Sequence, residues 1–318
     1  MTKTQTVLVT GANGFVGQAV VAHLSNLSQY VVRRSVRRIE NGIAVDRHTV
    51  VAALSADTDW TNALVGVNLV VHTAAMTRAT TAAEKYPSDE LDEVNVRGTL
   101  NLARQAALIG TKRFVFISSI KVFGEESLPE HPFAESDPCC PREAYAFSKM
   151  KAEQGLRQIT ENSKMEVVII RAPLIYGRGA GANFKMLIRA VARGVPLPLG
   201  AVNNRRSLVS IDNLVDFILL CLAHPSAANE TFSVSDGEDL STLELVRRIG
   251  RSLNRPVRIL TIPLPILKAA AVLLRKLNVF QKLCGTLQVD IAKSARILGW
   301  KPPVRVDDAL FRALNGDY

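Results

Sequence analysis

Residues 6–27 read TVLVTGANGFVGQAVVAHLSNL, and their reading decides the fold. Thr6 to Thr10 form a short apolar run that ends at a glycine, the pattern of a strand buried on both faces. Gly11, Gly14 and Gly17 follow, and from Phe15 the apolar residues recur at helical spacing. Glycines between a strand and a helix permit a tight turn and keep side chains away from a bound anion. The helix N-terminus then offers N–H donors and the positive end of its dipole. A glycine pattern alone is weak. Placed at the first strand of an alternating chain, it indicates a dinucleotide pyrophosphate site rather than a turn that binds nothing.

The alternation continues downstream. Apolar runs at Tyr30 to Val36, Thr49 to Leu54, Asn68 to Thr73, Arg113 to Ser118 and Glu166 to Arg171 read as strands. Helical spacing marks Asp57 to Leu64, Ser88 to Ile109 and Tyr145 to Asn162 between them. The fold class is therefore α/β, a doubly wound parallel sheet. We expect a dinucleotide-binding Rossmann domain over 1–171. The rest, 172–318, is expected to form a smaller, mostly helical substrate-binding part, of which about 205–235 returns to the sheet.

The chain has 318 residues, 47% hydrophobic and 21% charged, which excludes extensive disorder. Cys139, Cys140, Cys221 and Cys284 lack metal-ligand spacing, and no secretory signal precedes the first strand. No metal is expected, and the location is read as cytoplasmic, with peripheral contact to an inner membrane as a variant. The net charge of +10 owes much to Arg33, Arg34, Arg37 and Arg38. No aromatic interleaving or motif supports nucleic acid. No integral membrane span is expected, because charges interrupt even the apolar stretch Leu264 to Leu287. That stretch reads as one amphipathic helix with a basic face, packed on the body of the protein in preference to a membrane surface.

The second strand carries no Asp or Glu to accept a ribose 2′-hydroxyl, and Arg37 follows it. A guanidinium suits a 2′-phosphate by charge and fork geometry, so NADP(H) is favoured over NAD(H). Further on, Tyr145-Ala-Phe-Ser-Lys149 puts a phenol and an ammonium one helical turn apart. A nearby cation favours the phenolate, which would bring Tyr145 down from ~10 toward neutrality as an acid or base. Ser118 and Ser119 end a strand between the glycine turn and this pair.

In this order the pieces resemble the extended short-chain dehydrogenases/reductases of the nucleotide-sugar epimerase/dehydratase group. The matching segments are TGANGFVG, VVHTAA (Val70 to Ala75), VNVRGTLNL (Val94 to Leu102), SSIKVFG, YAFSK and IIRAPLIYG (Ile169 to Gly177). RRSLVSIDNLVD (Arg205 to Asp216) and LGWKPP (Leu298 to Pro303) extend the likeness. The resemblance implies Ser119, Tyr145 and Lys149 as the catalytic set, with Ser118 supporting the strand end. It implies a cofactor surface of Gly11, Asn13, Gly14, Phe15, Val16, Gly17, Arg37, Leu54, Thr73, Ala74, Ala75, Asn95, Tyr145, Lys149 and Ala172. It implies a UDP-sugar bound by Thr77, Arg78, Ser119, Asn183, Phe184 and Arg206, with help from Arg205 or Lys282. It also implies a homodimer built on the Ser88 to Ile109 and Tyr145 to Asn162 helices.

The departures narrow the chemistry. Ala53 stands where the family has an Asp for the adenine amino group, Phe123 replaces a Tyr and Ala172 a Pro. Dehydratases of the group keep Asp-Glu after the catalytic Thr; here the pair is Ile120-Lys121, so elimination is disfavoured. The leading expectation is NAD(P)H-dependent reduction of a UDP-4-keto-6-deoxy-HexNAc for surface polysaccharide such as O-antigen. A UDP-hexose or UDP-HexNAc 4-epimerase with bound NAD is the alternative. A non-catalytic dinucleotide-binding regulator would be expected to lack Tyr145 or Lys149, and a sterol dehydrogenase would call for an apolar site.

Overall fold

The computed structural model describes residues 4–37, 49–77, 89–128 and 130–315. The chain runs β1 (Gln5–Thr10), α1 (Phe15–Ser25), β2 (Tyr30–Val36), β3 (Thr49–Val51), α2 (Thr61–Leu64) and β4 (Leu69–His72). It continues through α3 (Asp89–Asp92), a π-helical segment Glu93–Gly98, α4 (Thr99–Ile109), β5 (Arg113–Ser119), α5 (Ala144–Glu161) and β6 (Glu166–Ala172). The second half holds β7 (Leu174–Tyr176), α6 (Ala182–Ala192), β8 (Leu208–Ser210), α7 (Ile211–Ala223), β9 (Thr231–Ser233) and α8 (Thr242–Ser252). It closes with α9 (Leu264–Leu273), α10 (Leu277–Cys284), α11 (Ala292–Leu298) and α12 (Val306–Asn315).

Seven strands form one parallel sheet in the order β3-β2-β1-β4-β5-β6-β9. The strand order reverses between β1 and β4, which opens a crevice at their C-terminal ends. Alternation along the strands builds two cores. Val7, Val9 and Val71 face one side, where α1 and α7 pack. Leu8 and Val70 face the other, against α4 and α5. β7 and β8 make a separate parallel pair, and a third core under α6, α8 and α12 fills the second half.

The sequence places most of these elements, with four differences. The strand from Thr49 stops at Val51, short of Leu54. The helix expected from Asp57 forms only at Thr61. Its first residues are taken by other partners: the Thr58 hydroxyl donates to the Ala53 carbonyl, and Asn101 and Gln105 donate to the Thr58 carbonyl. The long helix ending at Ile109 is interrupted by the π-helical segment, where Gly98 passes so close that a Cβ would sit 2.9 Å from the Leu54 carbonyl carbon. Finally, Leu264 to Leu287 forms two short helices joined through Arg275, whose φ is 54°. Neither helix buries a residue fully, so the expected packing of this stretch on the body does not hold for most of its apolar face.

A buried guanidinium links the start of β5 to the end of α7. Arg113, at the start of β5, donates through Nη1 to the carbonyls of Cys221, Leu222 and His224, the frayed end of α7. Its Nε donates to Glu166 at 2.7 Å. Helix ends leave carbonyls without partners, and here one charged fork satisfies three of them. Arg113→Met should therefore destabilise by about 3–5 kcal/mol, because it orphans these carbonyls and Glu166. Denaturant unfolding monitored by circular dichroism checks this; a loss under about 1 kcal/mol would show that water replaces the fork.

Candidate active site

The glycine turn has the shape that a pyrophosphate needs. Gly11 has φ +66°, and a Cβ there would lie 2.8 Å from the Ala74 backbone. A Cβ on Gly17 would lie 2.2 Å from the Gly11 carbonyl oxygen. Both side chains are therefore excluded by the approach of α1 to β1 and of the turn to β4. Helix α1 starts with no side-chain cap and no acid in its first turn, which leaves its positive end open to an anion. A dinucleotide fits this cradle. Along and just after β2, the basic cluster divides. Arg33 donates to the carbonyls of Ala63 and Val65, and Arg34 to Thr49. Arg37 is exposed at the strand end, while Arg38 lies outside the described residues.

The loop after β4 is held from below. The Thr73 hydroxyl donates to the Thr10 carbonyl at 2.7 Å. Asn95, buried in the π-helical segment, accepts from the Met76 N–H and donates to the Met76 carbonyl. Its second N–H goes to the Ser148 hydroxyl on α5. Both donors of the Asn95 amide are thus spent on protein, so Asn95 positions the loop against α5 and is not free to donate to a cofactor. A π-helical turn at such a place is common near functional sites. Thr77 is exposed at the loop's end; Arg78 lies outside the described residues.

Three side chains of α5 share one face at steps of four: Tyr145, Lys149 and Glu153. Glu153 is buried and takes a two-pronged hydrogen bond from Arg171 of β6, at 3.1 and 2.7 Å. It also accepts from the Ser118 hydroxyl at 2.6 Å. Ser118 is therefore spent on the scaffold, and Ser119, partly exposed at the tip of β5, accepts only from the Lys121 N–H among the described contacts. Phe123 lies between Phe133, stacked at 5.0 Å, and the Arg171 guanidinium at 4.5 Å.

Lys149 Nζ donates to the Ile117 carbonyl at 2.9 Å and sits 4.4 Å over the Phe116 ring. It is 5.9 Å from the Tyr145 ring centre. Burial brings its ammonium down to about 7, partly offset by Glu153. Burial pushes the Tyr145 phenol up to about 12. The expectation that Lys149 lowers Tyr145 is thus not met in the protein by itself: desolvation penalises both charges and outweighs their attraction.

The edge that differs from dehydratases is closed. Ile120 is buried, and Lys121 Nζ pairs with Glu143 at 2.6 Å and Glu125 at 3.2 Å. Across the crevice, half-buried Arg206 donates to the Gly285 carbonyl near Glu125 and Glu126. Phe184 does not line this space. It is buried against Tyr176 in the third core, which removes its side chain from the expected sugar contacts. The Asn183 side chain lies outside the described residues. Ala172, buried at the end of β6, pairs in register with Ser119.

Sequence reading missed His72. It is fully buried at the end of β4, between the Thr10 and Thr99 hydroxyls at 2.8 and 3.0 Å. Its ring stacks on Phe116, the ring beneath Lys149. Burial first, and Lys149 second, hold the imidazole neutral down to about 3. The only sequence signal is a polar residue in an otherwise apolar strand.

Comparison with known proteins agrees with this geometry. Residues 7–235 match the model of the NAD dependent epimerase/dehydratase family. The chain is 44% identical over 303 residues to a UDP-glucose 4-epimerase of Vibrio cholerae, covering 94% of this chain and 91% of that protein. Among solved structures, UDP-glucuronic acid 4-epimerase from Bacillus cereus in complex with NAD superposes with a TM-score of 0.76 at 20% identity, covering 98% of each chain. RMD from Pseudomonas aeruginosa complexed with NADPH gives 0.73 at 23% identity, covering 98% of this chain and 99% of that one. At these identities the two structures speak for the fold alone.

His72 makes stability depend on pH. A neutral folded imidazole contributes stability above the unfolded value of 6.5 that is lost as pH falls toward about 3. His72→Asn should flatten the decline, with a slope difference of up to about 1.4 kcal/mol per pH unit in that window. Parallel curves for the two proteins in urea titrations would show that His72 is protonated in the fold.

Proposed function

Because the chain belongs to the NAD dependent epimerase/dehydratase family, we propose that it is a 4-epimerase of UDP-hexoses or UDP-N-acetylhexosamines. The observation that carries this reading is the 44% identity, along nearly the whole chain, to the Vibrio cholerae UDP-glucose 4-epimerase. It reverses the order of the two chemistries that the sequence left open, 4-ketoreduction first and epimerisation second. The site supports both and offers nothing for elimination, since Lys121 is committed to two carboxylates and Ile120 carries no proton.

A bound nicotinamide supplies the acceptor and donor of a hydride at C4. This chain's residues manage the oxygen at that carbon. Tyr145 would take the proton from the C4 hydroxyl and return it to the same oxygen in the reverse direction. Ser119 donates a hydrogen bond to the same oxygen. Lys149 supplies positive charge beside the phenolate and the nicotinamide ribose. Arg206 faces the diphosphate, for which a planar guanidinium is suited. For the dinucleotide itself, Arg37 and the absence of an acid on β2 favour a 2′-phosphate.

The deciding experiment supplies UDP-glucose or UDP-N-acetylglucosamine with oxidised dinucleotide and no reductant, and follows the 4-epimer by NMR. Epimer formed to equilibrium supports the proposal. No epimer, with consumption of NADPH on a UDP-4-keto-6-deoxy-HexNAc, returns the reductase reading. Tyr145→Phe should lower turnover roughly 10²- to 10⁴-fold while dinucleotide binding, read by fluorescence, is unchanged. Arg37→Asp should weaken NADP(H) roughly tenfold or more relative to NAD(H); an unchanged ratio would remove Arg37 from the site.

A further inference from the structure

We propose that α9, α10 and the elbow between them form a docking surface for an anionic phospholipid bilayer. The first observation is exposure. Neither helix contains a buried residue, and large apolar side chains stand open: Ile266 at 60%, Leu274 at 64% and Leu273 at 84%. Soluble surfaces tolerate single exposed leucines, but neighbouring ones along two linked helices mark a contact face. The left-handed backbone of Arg275 turns the chain between the helices, so the leucines stand at the elbow itself.

The second observation is charge. From Arg255 to Val289 there is no Asp or Glu, while six Lys and Arg side chains occur, with Arg275 and Lys276 directly after the two leucines. An apolar ridge flanked by cations and with no acid in its own sequence matches a surface with anionic headgroups above hydrocarbon. A second copy of this chain would bring the same cations against themselves, so self-association does not fit the charge. Ten and eight residues are too short to cross a bilayer, and no helix among the described residues is long and apolar enough to do so. The segment would lie in the interface, its leucines among the acyl chains and its cations at the headgroups.

The surface is not a loose appendage. The last turn of α10 is held by Asn204, which donates to the carbonyls of Leu283 and Gly285, and by the Thr242 hydroxyl. Arg206 donates to the same Gly285 carbonyl. Docking would therefore set the open side of the crevice at a fixed attitude to the bilayer.

Vesicle flotation tests this without reference to turnover. The full chain should float with vesicles containing about one third phosphatidylglycerol, remain behind with pure phosphatidylcholine, and be released by high salt. Leu273→Glu/Leu274→Glu and, separately, Arg275→Glu/Lys276→Glu should each reduce partition at least roughly tenfold. All these positions are on the surface, so melting temperature and dinucleotide binding should be unchanged. Failure of the wild type to bind anionic vesicles overturns the proposal, as does equal partition of the leucine variant. So does a dimer in light scattering that the leucine variant converts to monomer, which would make this face an interface between copies.

Discussion

The pair Glu153 and Arg171 is the constraint on which the rest of the site depends. Both charges are removed from water, and their two hydrogen bonds cross from α5 to β6. Taking such a pair out of water costs several kcal/mol, and the attraction does little more than offset that cost. Its consequence is placement. Glu153 also holds Ser118, so β5, β6 and α5 meet at one carboxylate. With that point fixed, Ser119 is the next residue on the strand, and Lys149 and Tyr145 are one and two turns back on the helix. The hydroxyl, amine and phenol follow from an ion pair that touches none of the chemistry.

Much of this architecture was legible in the sequence, and the reason is periodicity. TVLVTGANGFVG announces its strand, turn and helix because local sterics and a two-sided core dictate each choice. YAFSK announces one helical face. The misreadings have a common cause, which is that a charge or ring finds its partner across the fold. Glu153 carries no reading from its own helix, because its partner Arg171 stands eighteen positions later on another element. Arg33 and Arg34 look like part of a phosphate patch but close the ends of nearby loops. Phe184 entered the site through a resemblance of segments, and its ring turned to the core because α6 faces Tyr176 there.

Electrostatics holds the buried groups of the site near neutrality. Desolvation raises Tyr145 and lowers Lys149, and His72 beneath them stays neutral. A buried cluster of this kind resists any single charge. It accepts a phenolate only with a compensating positive charge nearby, and it holds an ammonium most readily with a negative one. An oxidised nicotinamide carries positive charge and a ribose offers acceptors to Lys149. In the protein by itself, desolvation therefore works against a charge on either Tyr145 or Lys149.

The same logic of compensation runs through the second half of the chain. The basic excess is not spread evenly: the segment from Arg255 to Val289 has no acid of its own to answer its cations. Arg206, which donates to the Gly285 carbonyl at the end of that segment, also lies near Glu125 and Glu126 of the first half. At the elbow, Leu273 and Leu274 interrupt the positive charge and no acid lies near in sequence. Neither helix has enough buried apolar area to be held by packing alone, so its position rests on the hydrogen bonds at Asn204, Thr242 and Arg206.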